Sequence, residues 1–203
     1  MPRLLITGFE AFAGRKVNAS WQLAQTLAAV ERPGLELRAL KLPVRWGQPR
    51  RLLAQTLARW PADAVLALGE GKPGQFTVET LARKQRAERA DNAGRFPLLQ
   101  PVEINGPDQL QASVDWPDLV QALNRRQIPL QPSCDAGAYL CEETLYTLER
   151  MRQLRNGPRQ VLFVHVPPWH SALDYQQQAT HCNLPLLLEV GEALLDWLQA
   201  QLD

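Results

Sequence analysis

RLLITGFEAFAG, residues 3–14, carries an apolar run straight into a loop punctuated by glycine. The pattern recurs along the chain. Short apolar strand candidates alternate with stretches of helical period: Arg3–Ile6 then Trp21–Val30, Leu35–Leu42 then Pro49–Trp60, and Ala64–Leu68, with later helical stretches at Pro117–Gln127 and Glu142–Arg155. Such alternation implies β-α-β crossovers, which require a largely parallel or mixed twisted sheet covered by helices on both faces. The predicted fold is therefore an α/β protein, a three-layer α/β/α sandwich, and ligands of such sheets bind at loops leaving the carboxyl ends of strands.

At 203 residues, the chain has the length of one substantial α/β domain, taken here as residues 1–203. Leu184–Leu202 reads as an amphipathic closing helix, and the polar stretch 83–109 as an excursion or hairpin rather than a linker. Lys and Arg number 22 against 21 Asp and Glu, so charge gives no reason to expect nucleic acid as a partner. No stretch approaches the ~18 uninterrupted apolar residues of a membrane span, and the amino terminus lacks a cleavable signal pattern. Three cysteines without a CxxC pair fit a reducing cytoplasm.

Three strand candidates end in loops rich in Gly or Pro: ITGFEAFAG (6–14), ALGEGKPG (67–74) and the end of VLFVHVPPW (161–169). A fourth segment, PSCDAGAYLCEETLY (132–146), places Cys141 after a turn of small residues and at the start of a helical stretch. A thiol there sits beside free backbone N–H groups and the positive end of the helix dipole, which favour the thiolate that attacks carbonyl carbon. Cys134 lies upstream of the turn without that environment. Against this stands the ordinary behaviour of an isolated cysteine, which packs as a small hydrophobe. Of the three histidines, His165 is best placed as a base, at the end of QVLFVHV and before Pro167–Pro168. A core histidine satisfied by a backbone carbonyl is the alternative. Histidine and cysteine spacings match no familiar metal site.

The set TGFEAFAG (7–14), VNAS (17–20), LPV (42–44), DNAG (91–94), AGAYLC (136–141) and FVHVP (163–167) resembles pyroglutamyl-peptidase I, a family of cysteine exopeptidases also called pyrrolidone-carboxylate peptidases. The resemblance spans nearly the whole chain. It implies Cys141 as nucleophile, His165 as general base, and Glu79, in FTVETLA, as the acid that orients the imidazole. It also implies Phe9 and Phe12 packing on a five-membered lactam, and Arg89 near the tetrahedral centre. Glu79 is reached through the resemblance alone. The substrate implied is a peptide or small amide with a blocked amino terminus, the enzyme needs no metal or organic cofactor, and homodimers or homotetramers are expected.

The chain departs from the family pattern around the site. Glu70 stands where Gln or a small apolar residue is usual, and Glu142 replaces an Asn after the nucleophile. The Glu70 carboxylate is expected to accept a lactam N–H, to pair with Lys72, or to favour a substrate with a free amine. Glu142 is expected to use the same free N–H groups that favour Cys141. Three readings follow: an omega-peptidase releasing pyroglutamate, a thiol hydrolase acting on another small amide, and a catalytically silent binding protein.

Overall fold

A computed structural model describes residues 1–202. Its centre is a six-stranded sheet built from β1 (Arg3–Phe9), β2 (Glu36–Leu42), β3 (Ala64–Glu70), β4 (Phe76–Glu79), β7 (Leu130–Ser133) and β8 (Gln160–Val166), in the order β2-β1-β3-β8-β4-β7. Neighbours run parallel except at β4 and β8, which are antiparallel. Two short antiparallel hairpins lie outside it: β5 (Leu81–Arg83) with β6 (Gln109–Gln111), and β9 (Ala172–Tyr175) with β10 (Gln178–His181). The first closes the base of the 83–109 excursion.

Alternation along the buried strands feeds two cores. Leu4, Ile6, Leu66, Leu68, Leu162 and Val164 face α1 (Ala19–Ala29), α3 (Trp116–Arg125) and α5 (Leu184–Ala200), whose Leu23, Leu27, Leu119, Leu187 and Leu194 complete one layer. Leu5, Val65, Ala67, Val161 and Phe163 point the other way. They pack with α2 (Gln48–Arg59) and α4 (Leu140–Gln153) through Leu53, Leu57, Leu145 and Leu148. Both faces of the central strands are buried, so these strands are almost continuously apolar, as the sequence pattern requires. The three-layer expectation holds.

The helices agree with the periodicity to within two residues at most ends, and the most consequential difference is at α4. That helix begins at Leu140, so Cys141 lies inside its first turn rather than ahead of it. The sequence reading did not include β4, β7 or the β9–β10 hairpin. At four residues each, with Pro132 in β7, they offer too little alternation to register, and β7 tolerates its proline because it is an edge strand.

Candidate active site

The strand register brings two of the proposed residues together. Thr77 of β4 lies directly opposite His165 of β8, and Glu79, two residues further on, shares that face of the sheet. His165 Nδ1 is 2.8 Å from Glu79 Oε1, which also accepts from Thr77 Oγ1 at 3.2 Å. Glu79 is 1% exposed and its Oε2 has no hydrogen-bond partner among the described residues. On the other side, β3 presents Gly69 opposite His165.

Gly69 explains how the thiol reaches the ring. A Cβ there would stand 2.9 Å from Cys141 Sγ, 2.9 Å from His165 Cδ2 and 3.1 Å from Nε2. Sulfur and imidazole therefore converge on the space that a missing side chain leaves. Gly71 clears the other flank, where a Cβ would lie 2.8 Å from His165 Cβ. The Gly-x-Gly pair in ALGEGKPG was read only as loop punctuation. Its spacing at a strand end was the available signal for two side chains needing room.

The imidazole is held in its charged form. Burial works against the cation, but the Cys141 sulfur first, and then Glu79, outweigh it and raise the His165 pKa to about 10. Cys141 is at the second position of α4, whose N-cap residue Tyr139 provides no side-chain cap, leaving first-turn N–H groups open. A helix amino terminus of this kind suits an anion, whether thiolate or oxyanion.

A cavity of about 240 Å³ opens over this centre, lined by Cys141, His165, Glu79, Phe9, Phe12, Glu70 and Arg89 together with Asn18, Val44 and Tyr139. Every proposed site residue is among its walls. Phe9 is the last residue of β1 and 3% exposed, so it belongs to the core as well as to the cavity. Phe12 is half-buried, and Arg89 lays its guanidinium 4.4 Å from the Tyr139 ring centroid.

Two expectations about acidic residues are overturned. Glu70 does not pair with Lys72: its Oε2 accepts from Arg15 Nη1 at 2.5 Å, and its Oε1 from the backbone N–H groups of Ala19 at 2.6 Å and Trp169 at 3.3 Å. Arg15 reaches Glu70 from the β1–α1 loop, 55 residues away in sequence. Glu142 does not draw on its own helix's first-turn N–H groups. It is 1% exposed, and its Oε1 accepts from Arg83 N of β5 at 2.6 Å. Burial raises its pKa, with the Arg83 and Ala138 N–H groups pulling the other way.

The remaining candidates lie elsewhere. Cys134 is exposed, and the buried Cys182 donates its S–H to Pro167 O at 3.2 Å, its pKa pushed up to about 12 by burial and by Glu70. His170 and His181 are exposed and do not line the cavity. Among the described residues, no three His, Cys, Asp or Glu are grouped to hold a metal ion, and no helix is long and apolar enough to cross a membrane.

The family model described as pyroglutamyl peptidase matches residues 2–190. The chain belongs to the pyroglutamyl peptidase family. It is 33% identical over 169 residues to the pyrrolidone-carboxylate peptidase of Chromobacterium violaceum, covering 82% of this chain and 78% of that one. The pyrrolidone-carboxylate peptidase of Thermococcus onnurineus is 34% identical over 176 residues, covering 85% and 87%. Among solved structures, the pyrrolidone carboxyl peptidase of Fervidobacterium islandicum superposes with a TM-score of 0.86 at 26% identity, over 98% of this chain and 97% of that one.

Proposed function

We propose that this member of the pyroglutamyl peptidase family is a cysteine exopeptidase that hydrolyses the amide bond after an amino-terminal pyroglutamyl residue. The observation that carries the reading is the convergence of Cys141 Sγ and His165 Nε2 beside Gly69, with Glu79 on the opposite ring nitrogen and Phe9 and Phe12 in the same cavity. The Cys141 thiolate attacks the pyroglutamyl carbonyl carbon, and the resulting oxyanion meets open N–H groups at the start of α4. His165 then gives the proton it took from the thiol to the leaving amine nitrogen, the C–N bond breaks, and an acyl-enzyme remains. Water, deprotonated by the same ring, attacks the thioester and releases pyroglutamate. Glu79 holds Nδ1 so that Nε2 faces the sulfur. Phe9 and Phe12 offer apolar faces to the flat lactam, and Arg89 lies at the rim.

The test is turnover of a chromogenic pyroglutamyl amide beside prolyl and glutaminyl analogues, with iodoacetamide labelling of Cys141 in parallel. Release from the pyroglutamyl compound alone is expected. Release from only the glutaminyl compound would replace this reading with a thiol hydrolase of other specificity, and no release with an inert Cys141 would favour a silent binding protein.

The neighbouring apolar residues Phe96, Leu98, Leu99 and Ile104, each more than half exposed on the 83–109 excursion, support assembly into a homodimer or homotetramer, to be checked by light scattering. The three unpaired cysteines support a cytoplasmic location.

A further inference from the structure

We propose that Arg15 is the residue that makes this pocket select an uncharged lactam over a protonated amine, by neutralising Glu70 from the β1–α1 loop. The inference rests on the peptidase reading above and concerns what its pocket accepts. A carboxylate in the wall of a cavity for a neutral ring is an anomaly: left alone, it attracts the ammonium of an ordinary amino-terminal proline or glutamine and penalises a lactam. The Glu70 side chain is fully buried and lines the cavity.

Arg15 answers the anomaly in two ways. Its Nη1 donates to Glu70 Oε2 at 2.5 Å, so the one oxygen not already held by the Ala19 and Trp169 N–H groups is matched by a full positive charge. Its guanidinium also lies 5.2 Å from the centroid of the Phe12 ring, which fixes the aromatic wall as it neutralises the acid. The Arg15 side chain is 44% exposed while that of Glu70 is not exposed at all, so the cation compensates from the solvent side a carboxylate that is itself out of solvent. Lys72 also lines the cavity, but it forms no ion pair among the described residues and leaves Glu70 to Arg15 alone. Glu70 and Arg15 thus behave as one neutral unit, and the lactam meets a carboxylate whose charge is already matched.

Three forms test this: wild type, Arg15→Met, and the double variant Arg15→Met with Glu70→Gln. Binding is read as protection of Cys141 from iodoacetamide by pyroglutamic acid amide and by prolinamide, and turnover as kcat and KM on a pyroglutamyl amide. Arg15→Met is expected to raise KM for the pyroglutamyl amide about tenfold, with the change in kcat the smaller of the two, and to strengthen protection by prolinamide about tenfold. Glu70→Gln in the same chain removes the stranded charge and is expected to restore pyroglutamyl KM to within about threefold of wild type while abolishing the gain for prolinamide. Failure of the second change to restore lactam binding in a chain whose thermal melting matches wild type would overturn the proposal, as would an unaltered preference between the two amides in Arg15→Met. If either variant melts early, Arg15→Lys, which keeps the charge and loses the planar fork, must retain the lactam preference for the proposal to stand. The protection arm needs no turnover. A wild type that cleaves no pyroglutamyl amide breaks the peptidase reading, while the shift in preference on removing Arg15 is still measured.

Discussion

Glu79–His165 and Glu143–Arg86 are both buried charge pairs of nearly equal length, 2.8 Å and 2.7 Å, and both adjoin the first turn of α4. They differ in what is left over. Glu143 accepts from Gly47 N at 2.9 Å through Oε1 and from Arg86 through Oε2, and Arg86 goes on to the carbonyls of Leu99 and Pro101. Both Glu143 oxygens are engaged, and the 83–109 excursion is pinned to the helix and to the start of α2. In the other pair, Glu79 Oε2 has no hydrogen-bond partner among the described residues, and the second ring nitrogen of His165 converges with Cys141 Sγ beside Gly69. A saturated buried network fixes shape, whereas one with spare capacity keeps groups available for a reacting molecule.

The sharpest way to break that contrast is at the sulfur. Cys141→Ala is expected to abolish turnover of the pyroglutamyl amide and to keep the native circular dichroism and melting behaviour, because a small side chain at a half-buried helix position gives way to a smaller one. Cys134→Ala and Cys182→Ala should retain activity. If Cys134→Ala were the inactivating change, the site would lie elsewhere. His165→Ala follows, with a loss of about a hundredfold to ten-thousandfold in kcat. Glu79→Gln should lose less, since the carboxylate orients the ring without carrying the proton to the leaving group. Equal losses in His170→Ala would move the base assignment to that exposed ring.

The saturated pair should respond in the opposite sense. Glu143→Ala strands Arg86 in the interior and is expected to lower unfolding stability by about 3–5 kcal/mol, with kcat affected far less than by any change at Glu79. Urea denaturation beside single-turnover kinetics separates the two, and a catalytic loss without a stability loss would mean that the pairs are not different in kind.

A smaller effect lies in the pH dependence. The folded-state pKa of His165 is raised to about 10 from an unfolded value near 6.5, so the folded protein holds a proton that this ring has lost in the unfolded chain. Its contribution to stability is fully present below pH ~6.5 and disappears as pH rises toward 10. Cys141→Ala removes the larger of the favourable partners and should flatten the decline of melting temperature over that window. An unchanged slope would show that Glu79 alone holds the charge.

The parts of this arrangement differ in how far the sequence announces them. β1, β3 and β8 are buried on both faces and read as apolar runs, and α1, α2, α4 and α5 follow from their periodicity. Cys141 and His165 were legible from position, one at a helix start and the other at a strand end. Glu79 was not, because FTVE is four residues long and the partner that gives it meaning lies 86 residues away. It emerged only by resemblance. Arg15 was invisible for a related reason: in an exposed loop it looks like any solvated cation, and Lys72 was the nearer candidate for Glu70. Separation in sequence carries no signal for such a pair, since Arg15 and Glu70 are 55 residues apart and meet only through the placement of two loops.

The place of β8 in the sheet has a consequence in time. It is synthesised after β3, β4 and β7, yet it sits between β3 and β4, which are not hydrogen-bonded to one another. A growing chain therefore carries Cys141 through the ribosome before the strand bearing His165 exists, and the two halves of the sheet can join only when that late strand inserts between them. Until then the sulfur has no imidazole beside it. On the proposed mechanism, the thiol therefore gains its base only when β8 is in place.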